Sequence, residues 1–196
     1  MSGGVGARLG LADAGLEPRT SLAFLEGVLQ AYVPPSAAQA EERARMLAFL
    51  QEHEAPLERR CLAGHFTASA LVIHADGERA LLTHHRKLKR WLQLGGHCDG
   101  EANPARAALI EATEESGIEQ LSIDPSPVDL DIHRIPARAG EPEHLHLDLR
   151  YLVYAAPGAR EVIGEESLDL AWVSTDELAG LDSDDSVRRL FELAFG

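Results

Sequence analysis

The chain of 196 residues carries 32 acidic and 18 basic side chains, a net charge of −14, and 45% of its residues are hydrophobic. This apolar content supports a packed core and argues against a disordered chain. The acidic balance argues against a protein that grips nucleic acid by charge alone. No apolar run approaches the roughly 20 residues of a membrane span. Cys61 and Cys98 make no disulfide framework, so the expected location is the reducing cytoplasm.

The N-terminal part of the chain predicts a helical hairpin. Apolar residues recur along one face of a helix from about 21 to 33, and Pro34-Pro35 ends that helix. A second helix is predicted from 36 to about 53. We interpret residues 1–60 as an N-terminal helical extension that serves packing or an oligomer contact, so a homodimer is one expectation. Residues 61–196 then form the main domain.

The main domain alternates strands with helices, which predicts an α/β or α+β class. Asn103 can cap a helix that begins at Pro104, and Gly117 suits its left-handed end. The predicted strands are 66–74, 79–83, 92–94, 127–135, 145–155 and 168–173. The predicted helices are 104–116, 175–178 and 183–194.

Three carboxylates lie on one side of the helix that begins at Pro104. At about 100° per residue, Glu111, Glu114 and Glu115 share a sector of about 100°. Like charges that close repel one another, and a divalent cation would neutralise them. Their hard oxygen donors suit Mg²⁺ or Mn²⁺. The sequence therefore predicts a metal site on this helix.

The segment around these carboxylates, GGHCDGEANPARAALIEATEESGI, resembles the Nudix box. That box reads G, five residues, E, seven residues, then R-E-U-x-E-E-x-G-U, where U is apolar. Starting at Gly96, the frame matches without a gap as far as Ile118, and the three glutamates stand at the box glutamates. The resemblance implies an α/β Nudix-type α/β/α sandwich with a mixed sheet, which makes 61–196 a Nudix hydrolase domain.

Two positions depart from the box. Ala102 stands where the box has its early glutamate, and Ile110 stands where it has its arginine. In the family this arginine holds the glutamates in position, and an isoleucine supplies neither charge nor hydrogen bond. Arg106 lies one turn earlier on the same side and is a candidate for partial substitution, although its expected direction points away. The departures concern the level of activity more than the fold.

The resemblance implies metal-dependent hydrolysis of a diphosphate linkage in a small nucleoside diphosphate-type substrate. Glu111, Glu114 and Glu115 are the expected catalytic residues. The same three glutamates and the carbonyl of Gly96 are the expected ligands of Mg²⁺ or Mn²⁺, which lowers the pKa of a bound water. The general base comes from the box or from a later loop. The later candidates are Glu143, Glu165 and Glu166.

Two alternatives remain open at this point. One is a catalytically weakened Nudix-fold module that binds a nucleotide or regulates, which the missing arginine favours and the intact glutamates oppose. The other is an isomerase on the same fold. That reaction would need a pocket with a catalytic Cys and Glu, and nothing in the sequence orients Cys98 for it.

A basic segment precedes the box, HHRKLKR from His84 to Arg90. On an acidic chain it is the obvious place to bind substrate phosphates, although an exposed hairpin end would have the same composition. His97 beside the glycines could contact substrate or metal, or could be an ordinary loop histidine. The predicted substrate-binding residues are Arg86, Lys87, Lys89, Arg90 and His97.

Three later histidines are predicted to lie close together on neighbouring strands. His144 and His146 are two residues apart and so share one face of a strand, with His133 on the strand before. The spacing suits Zn²⁺, but the sequence indicates no fourth ligand.

Overall fold

A computed structural model describes residues 7–138, 140–164 and 167–196. Its helices are α1 (Leu22–Ala31), α2 (Ala37–Glu52), α3 (Pro104–Ser116), α4 (Thr175–Leu178) and α5 (Asp185–Phe195), with a short 3-10 turn at Ala14–Leu16. Its strands are β1 (Gly64–Ile73), β2 (Arg79–His85), β3 (Trp91–Leu92), β4 (Leu94–His97), β5 (Leu121–Ile123), β6 (Asp129–Ile135), β7 (His144–Ala155) and β8 (Ser167–Ser174).

The centre of the sheet is the parallel pair of β1 and β7, which run in register from Gly64↔Leu145 to Ile73↔Tyr154. The other strand pairs are antiparallel. Strand β4 pairs with the first part of β1, and β2 pairs with its last part. On the far side, β6 and β5 pair with successive parts of β7. The sheet is therefore mixed, as predicted.

Helices cover both faces of this sheet. Successive side chains of a strand point to opposite faces, so each face presents apolar residues that a helix can cover. On β1, Phe66 and the even positions after it belong to the larger core, which also contains buried residues of α1, α2 and α3. Leu71 and Ile73 point to the opposite face, where they pack with Leu190 and Phe191 of α5. The predicted α/β/α sandwich with helices before it is confirmed.

The two N-terminal helices are part of the larger core. Leu25 and Leu29 of α1 and Met46 of α2 are fully buried in it. Gln39 of α2 donates a side-chain hydrogen bond to the carbonyl of Leu130 and accepts one from its backbone N–H, at 2.8 and 3.0 Å. The hairpin is thus fixed to the edge strand β6. Within the described ranges, no helix is long and apolar enough to cross a membrane.

The structure differs from the predicted elements mainly around the two glycines. The sequence predicts a loop from Gly95, but Gly95, Gly96 and His97 belong to β4 and pair with β1. Glycines are poor strand formers on their own, so pairing with β1 and not propensity creates this strand. The three-residue strand β5 was not predicted from the sequence either, and it forms by pairing with the end of β7.

Gly95 lies where β4 passes directly against β1. Its φ is 149°, and a Cβ there would lie 2.5 Å from Ser69 Cα and 2.7 Å from the Ala68 carbonyl oxygen. We expect Gly95→Ala to lower the free energy of unfolding by about 3 kcal/mol, because overlap with backbone atoms forces β4 away from β1. Denaturant unfolding measures this loss.

Gly100→Ala is the matched control, because Gly100 has a φ of 92° and open space around it. We expect Gly100→Ala to lower the free energy of unfolding by about 1 kcal/mol, from backbone strain alone. Equal losses in the two variants would show that strain, and not contact with β1, makes a glycine necessary at position 95.

Candidate active site

The helix that carries the three glutamates is bounded by its own sequence signals. The Asn103 side chain accepts a hydrogen bond from the backbone N–H of Arg106, and Pro104 occupies the first turn. Gly117 ends α3 with a φ of 67° and donates its N–H to the Thr113 carbonyl at 2.9 Å. The bounds are those predicted, and they place Glu111, Glu114 and Glu115 along one cleft.

The two glycines of β4 bring its backbone against these glutamates. The N–H of Gly95 donates a hydrogen bond to Glu115 Oε2 at 2.9 Å. A Cβ on Gly96 would lie 2.5 Å from the carboxyl carbon of Glu111. Gly96 thus lies directly against that carboxylate, and the structure brings Gly96 and the predicted glutamates together in one cleft.

The cleft has a volume of about 800 Å³, which is in the range of small-molecule sites. Its polar floor comes from the centre of the sheet, where Thr67 and Ser69 donate hydrogen bonds to Asp148 at 2.9 and 2.6 Å. Side chains of both charges surround that floor. The charged residues of the lining are Arg59, Lys87, Asp99, Glu111, Glu114, Glu115, Arg138, Glu141 and Asp148.

A buried ion cluster lies beside the floor. Arg150 is 2% exposed, and its guanidinium contacts Asp148, Asp129 and Asp131 at 2.9, 3.3 and 3.0 Å. Arg189 of α5 contacts Asp129 and Asp131 at 2.8 and 3.0 Å. Burial alone would raise the pKa of Asp131, but the hydrogen bond from His133 and the two guanidinium groups lower it well below the ordinary value.

The predicted histidine group lies at one end of the cleft. His133 and His146 are register partners on β6 and β7, and their ring centroids are 5.4 Å apart. His144 lies 5.3 Å from His146. The structure adds His65 of β1 and His97 of β4, each within 5.0 Å of His146. His97 was a predicted substrate or metal contact, whereas no local pattern in the sequence marks His65, which the pairing of β1 with β7 brings in from a distant position.

Burial favours the neutral form of three of these rings, because it lowers the pKa of His65, His97 and His146. Burial, with smaller contributions from neighbouring cations, lowers the pKa of His97 to about 4. Burial, with the adjacent histidines, lowers the pKa of His146 to about 2. A neutral ring has one nitrogen that accepts a hydrogen bond or binds a metal.

Comparison with known proteins identifies the family. The NUDIX domain model matches residues 64–193. The chain belongs to the Nudix family. The predicted membership of the Nudix hydrolases is confirmed, and with it the class of enzyme, a pyrophosphohydrolase. The comparison with curated proteins gave no match.

Solved structures share the Nudix fold at low sequence identity. A hydrolase of the NUDIX family from Clostridium perfringens is 23% identical, with a TM-score of 0.52 over 66% of this chain and 95% of that one. An Ap4A hydrolase from C. elegans is 17% identical, with a TM-score of 0.54 over 65% and 93%. The NUDIX domain of NrtR from Shewanella oneidensis, complexed with ADP ribose, is 14% identical, with a TM-score of 0.52 over 75% and 94%.

The basic segment before the Nudix box divides between the cleft and the surface. Lys87 lines the cleft, as does His97. Arg86 donates to the Ser167 carbonyl at 3.1 Å, and Arg90 contacts Asp182 at 3.4 Å. Lys89 occupies a turn with a φ of 57° and is not part of the lining. Of the five predicted substrate-binding residues, the structure therefore brings two into the cleft.

The arginine missing from the Nudix box has no substitute at Arg106. Its side chain donates to the Leu16 carbonyl at 3.1 Å and contacts Glu101 at 3.4 Å, away from the cleft. Arg59 enters the cleft instead, from the segment between α2 and β1. It binds Asp99 through two hydrogen bonds of 2.9 and 2.8 Å. Those bonds, and the more distant charge of Glu111, raise its pKa.

The later candidates for the general base have different positions. Glu143 binds Arg134 at 2.6 Å and does not line the cleft. Glu165 and Glu166 lie outside the described residues. Glu141 does line the cleft, with its Oε1 4.0 Å from His144 Nε2. Sequence reasoning did not select Glu141, because nothing in its local pattern marks it.

Cys98 does not have the environment of a nucleophile. Its side chain is buried, and burial raises the pKa of its thiol well above the ordinary value. A protonated thiol is a poor nucleophile. The isomerase alternative, which needs a catalytic cysteine, has no support at this position.

The ion cluster makes the free energy of unfolding of the Nudix domain depend on pH in the acidic range. Because the pKa of Asp131 is lowered in the folded state, the unfolded chain binds more protons below its ordinary pKa of 3.8. The stabilisation from Asp131 is thus complete above about pH 4 and is lost as the pH falls further. We expect Asp131→Asn to cost about 2 kcal/mol at neutral pH, and to unfold with a shallower dependence on pH below 4.

Asp185→Asn, on the exposed first turn of α5, is the control. Urea unfolding at a series of pH values measures both variants against the wild type. An Asp131→Asn curve parallel to that of the wild type below pH 4 would contradict the argument.

Proposed function

We propose that the protein hydrolyses the diphosphate linkage of a nucleoside diphosphate-type substrate with the help of Mg²⁺ or Mn²⁺. The observation that carries the proposal is the contact between β4 and α3. Gly95 holds the carboxylate of Glu115 through its N–H, and Gly96 leaves space for that of Glu111. These two contacts hold carboxylates of α3 beside the backbone of β4, which is the arrangement expected where carboxylates and a backbone carbonyl bind one cation.

The donor set fits a hard divalent cation. Carboxylate and carbonyl oxygens are the ligands that Mg²⁺ and Mn²⁺ prefer. Glu111, Glu114, Glu115 and the carbonyl of Gly96 would hold the ion. When bound, it would neutralise phosphate oxygens and lower the pKa of a water.

The remaining side chains of the cleft position the substrate and move a proton. Lys87, Arg59 and His97 line the cleft, and in this proposal they contact phosphate oxygens. Water attacks a phosphorus atom, the bond to the bridging oxygen breaks, and a carboxylate of the cleft takes the proton from the water. The base is a box glutamate or Glu141, which lines the cleft.

A panel of diphosphates with Mg²⁺ or Mn²⁺, scored by product, tests the activity. ADP-ribose and Ap4A are the first substrates, because similar folds are an Ap4A hydrolase and a NUDIX domain complexed with ADP ribose. Sugar nucleotides and coenzyme A follow. Binding of a nucleotide by calorimetry without any turnover would instead support the binding or regulatory module, which Ile110 in place of arginine favours.

Glu115→Gln is the sharpest test of the catalytic residues. Glutamine keeps an oxygen that can accept the hydrogen bond from Gly95 but removes the negative charge. We expect metal-dependent turnover to fall by about a thousandfold or more, with the melting temperature little changed. Glu119→Gln, just beyond the end of α3, is the matched control and should retain turnover. Wild-type turnover in Glu115→Gln would remove the glutamate from the mechanism.

Arg59 is proposed to supply the charge that Ile110 does not. We expect Arg59→Met to lower kcat/KM by about 10- to 100-fold, which corresponds to the loss of one charged contact. Arg60→Met is the control, because the neighbouring Arg60 binds Glu58 and does not line the cleft. Steady-state kinetics compare the two variants, and an equal effect would show that Arg59 has no special part.

Three further predictions complete the proposal. We propose that residues 1–60 are an extension and 61–196 the catalytic unit, and that the chain works in a reducing cytoplasm, where its two free cysteines stay reduced. A homodimer stays a prediction, which light scattering of the purified protein decides.

A further inference from the structure

The histidines at the end of the cleft form one row across four strands. In spatial order the row takes His97 from β4, His65 from β1, His146 from β7 and His133 from β6. His144, two residues before His146, lies on the same face of β7. The ring of His65 is 4.9 to 5.0 Å from those of His97, His144 and His146.

His65 is the centre of the row and has unused nitrogens. It is 2% exposed, and neither ring nitrogen makes a hydrogen bond to any residue that the structure describes. The Cys61 carbonyl lies close enough to affect its pKa, but without the geometry of a hydrogen bond. Burying a polar group without a partner costs about 1–3 kcal/mol. A ligand that the chain does not itself supply would offset that cost.

The ligand atoms converge more closely here than elsewhere in the described residues. One ligand atom from each of His65, His144 and His146 lies within 4.8 Å of the others. In the described part of the chain, this is the one group of three or more His, Cys, Asp or Glu residues found to be able to hold a metal ion. Nitrogens around a tetrahedral zinc are about 3.4 Å apart, from Zn–N bonds of about 2.0–2.1 Å. In the proposed site the rings would rotate to bring these atoms to the shorter distance.

The hydrogen bonds of the neighbouring rings also suit a metal. His144 donates Nδ1–H to the Pro142 carbonyl at 2.9 Å, which leaves Nε2 with its lone pair. His133 donates Nδ1–H to Asp131 at 2.9 Å in the same manner. Metal-binding histidines generally donate their second nitrogen to a carbonyl or carboxylate, because this bond fixes the tautomer and the orientation of the ring.

We propose that His65, His144 and His146, with His97 as fourth ligand, bind a zinc ion. The site is separate in chemistry from the Nudix box, because imidazole nitrogens suit zinc and other transition metals, whereas the box offers the oxygens that suit magnesium. His97, His144 and His146 line the cleft. The zinc therefore lies at the border of the substrate space, where phosphate or carboxylate oxygens of a ligand can reach it.

The test measures metal binding and does not depend on turnover. Tag-free protein is stripped with EDTA, and Zn²⁺ binding is measured by equilibrium dialysis with elemental analysis. We expect one zinc for each wild-type chain and a rise in the melting temperature when zinc is added. Co²⁺ in its place should give the strong visible absorption of a tetrahedral site. A wild-type chain that binds no zinc would overturn the proposal.

Two variants locate the ion. In His65→Leu the affinity for zinc should fall by on the order of 100-fold or more, beyond the effect of changes that only orient a ligand. Metal-free His65→Leu should remain folded, because the lost ring has no hydrogen bond to lose. His53→Leu is the matched control, since His53 stacks on Phe49 outside the row. Zinc retained at full affinity in His65→Leu would overturn the proposal.

His144→Gln and Glu115→Gln complete the set. His144→Gln should also lose zinc, which covers the case in which His65→Leu fails to fold. Glu115→Gln should keep zinc even where it loses turnover, so failure of the zinc site and failure of the proposed function are separate results. Loss of zinc from Glu115→Gln alone would assign the ion to the box.

Discussion

The parallel pairing of β1 with β7 is the constraint on which the cleft depends. Paired residues of parallel strands point to the same face, so each pair lies either on the face of the larger core or on the opposite face, which carries the floor of the cleft and then the smaller core. Phe66 and Leu147 go to the core, whereas His65 and His146, then Thr67 and Asp148, go to the other face. A slip of one residue would exchange the two sets. Each apolar pair in the core therefore also fixes the polar pairs of the cleft.

The buried ion cluster extends the same constraint to α5. A guanidinium as buried as that of Arg150 is costly unless its hydrogen bonds are satisfied, and three carboxylates surround it. Arg189 adds a second cation from α5. One carboxylate of the cluster, Asp148, also accepts from Thr67 and Ser69 in the floor. The cluster thus makes the position of the floor and the position of α5 depend on each other.

Local signals in the sequence were sufficient for the box helix and for most elements. Asn103 and Pro104 mark the start of α3 and Gly117 marks its end. The helical periodicity then places the three glutamates on one side. The prediction of a loop from Gly95 was wrong, because these residues form strand β4 by pairing with β1, which is distant in the sequence. Lys87 and Arg90 looked alike in sequence, yet the partners that hold Arg90 outside the cleft come from the segment after α4.

The residues that sequence reasoning missed share one cause. Arg59 and His65 have no motif of their own, and their positions in the cleft and in the histidine row depend on what other segments place beside them. His65 meets His146 only because β1 and β7 are paired, 81 residues apart in the chain. The group of His133, His144 and His146 could be predicted because β6 and β7 follow one another in the chain, and consecutive strands are usually neighbours.

The pleat of β4 explains how one cleft offers two kinds of metal ligand. Successive residues of a strand point to opposite sides. Gly96 therefore turns towards α3, where the space of its missing side chain is taken by the Glu111 carboxylate. His97 turns to the other side, towards His65 and His146. The carboxylates of α3 and the histidine rings therefore lie on opposite sides of β4, and the two proposed metals would be bound by different donor atoms. Under the proposed function, part of the acidity of the chain has a local meaning, because the carboxylates of α3 would hold the cations through which an acidic protein binds phosphate.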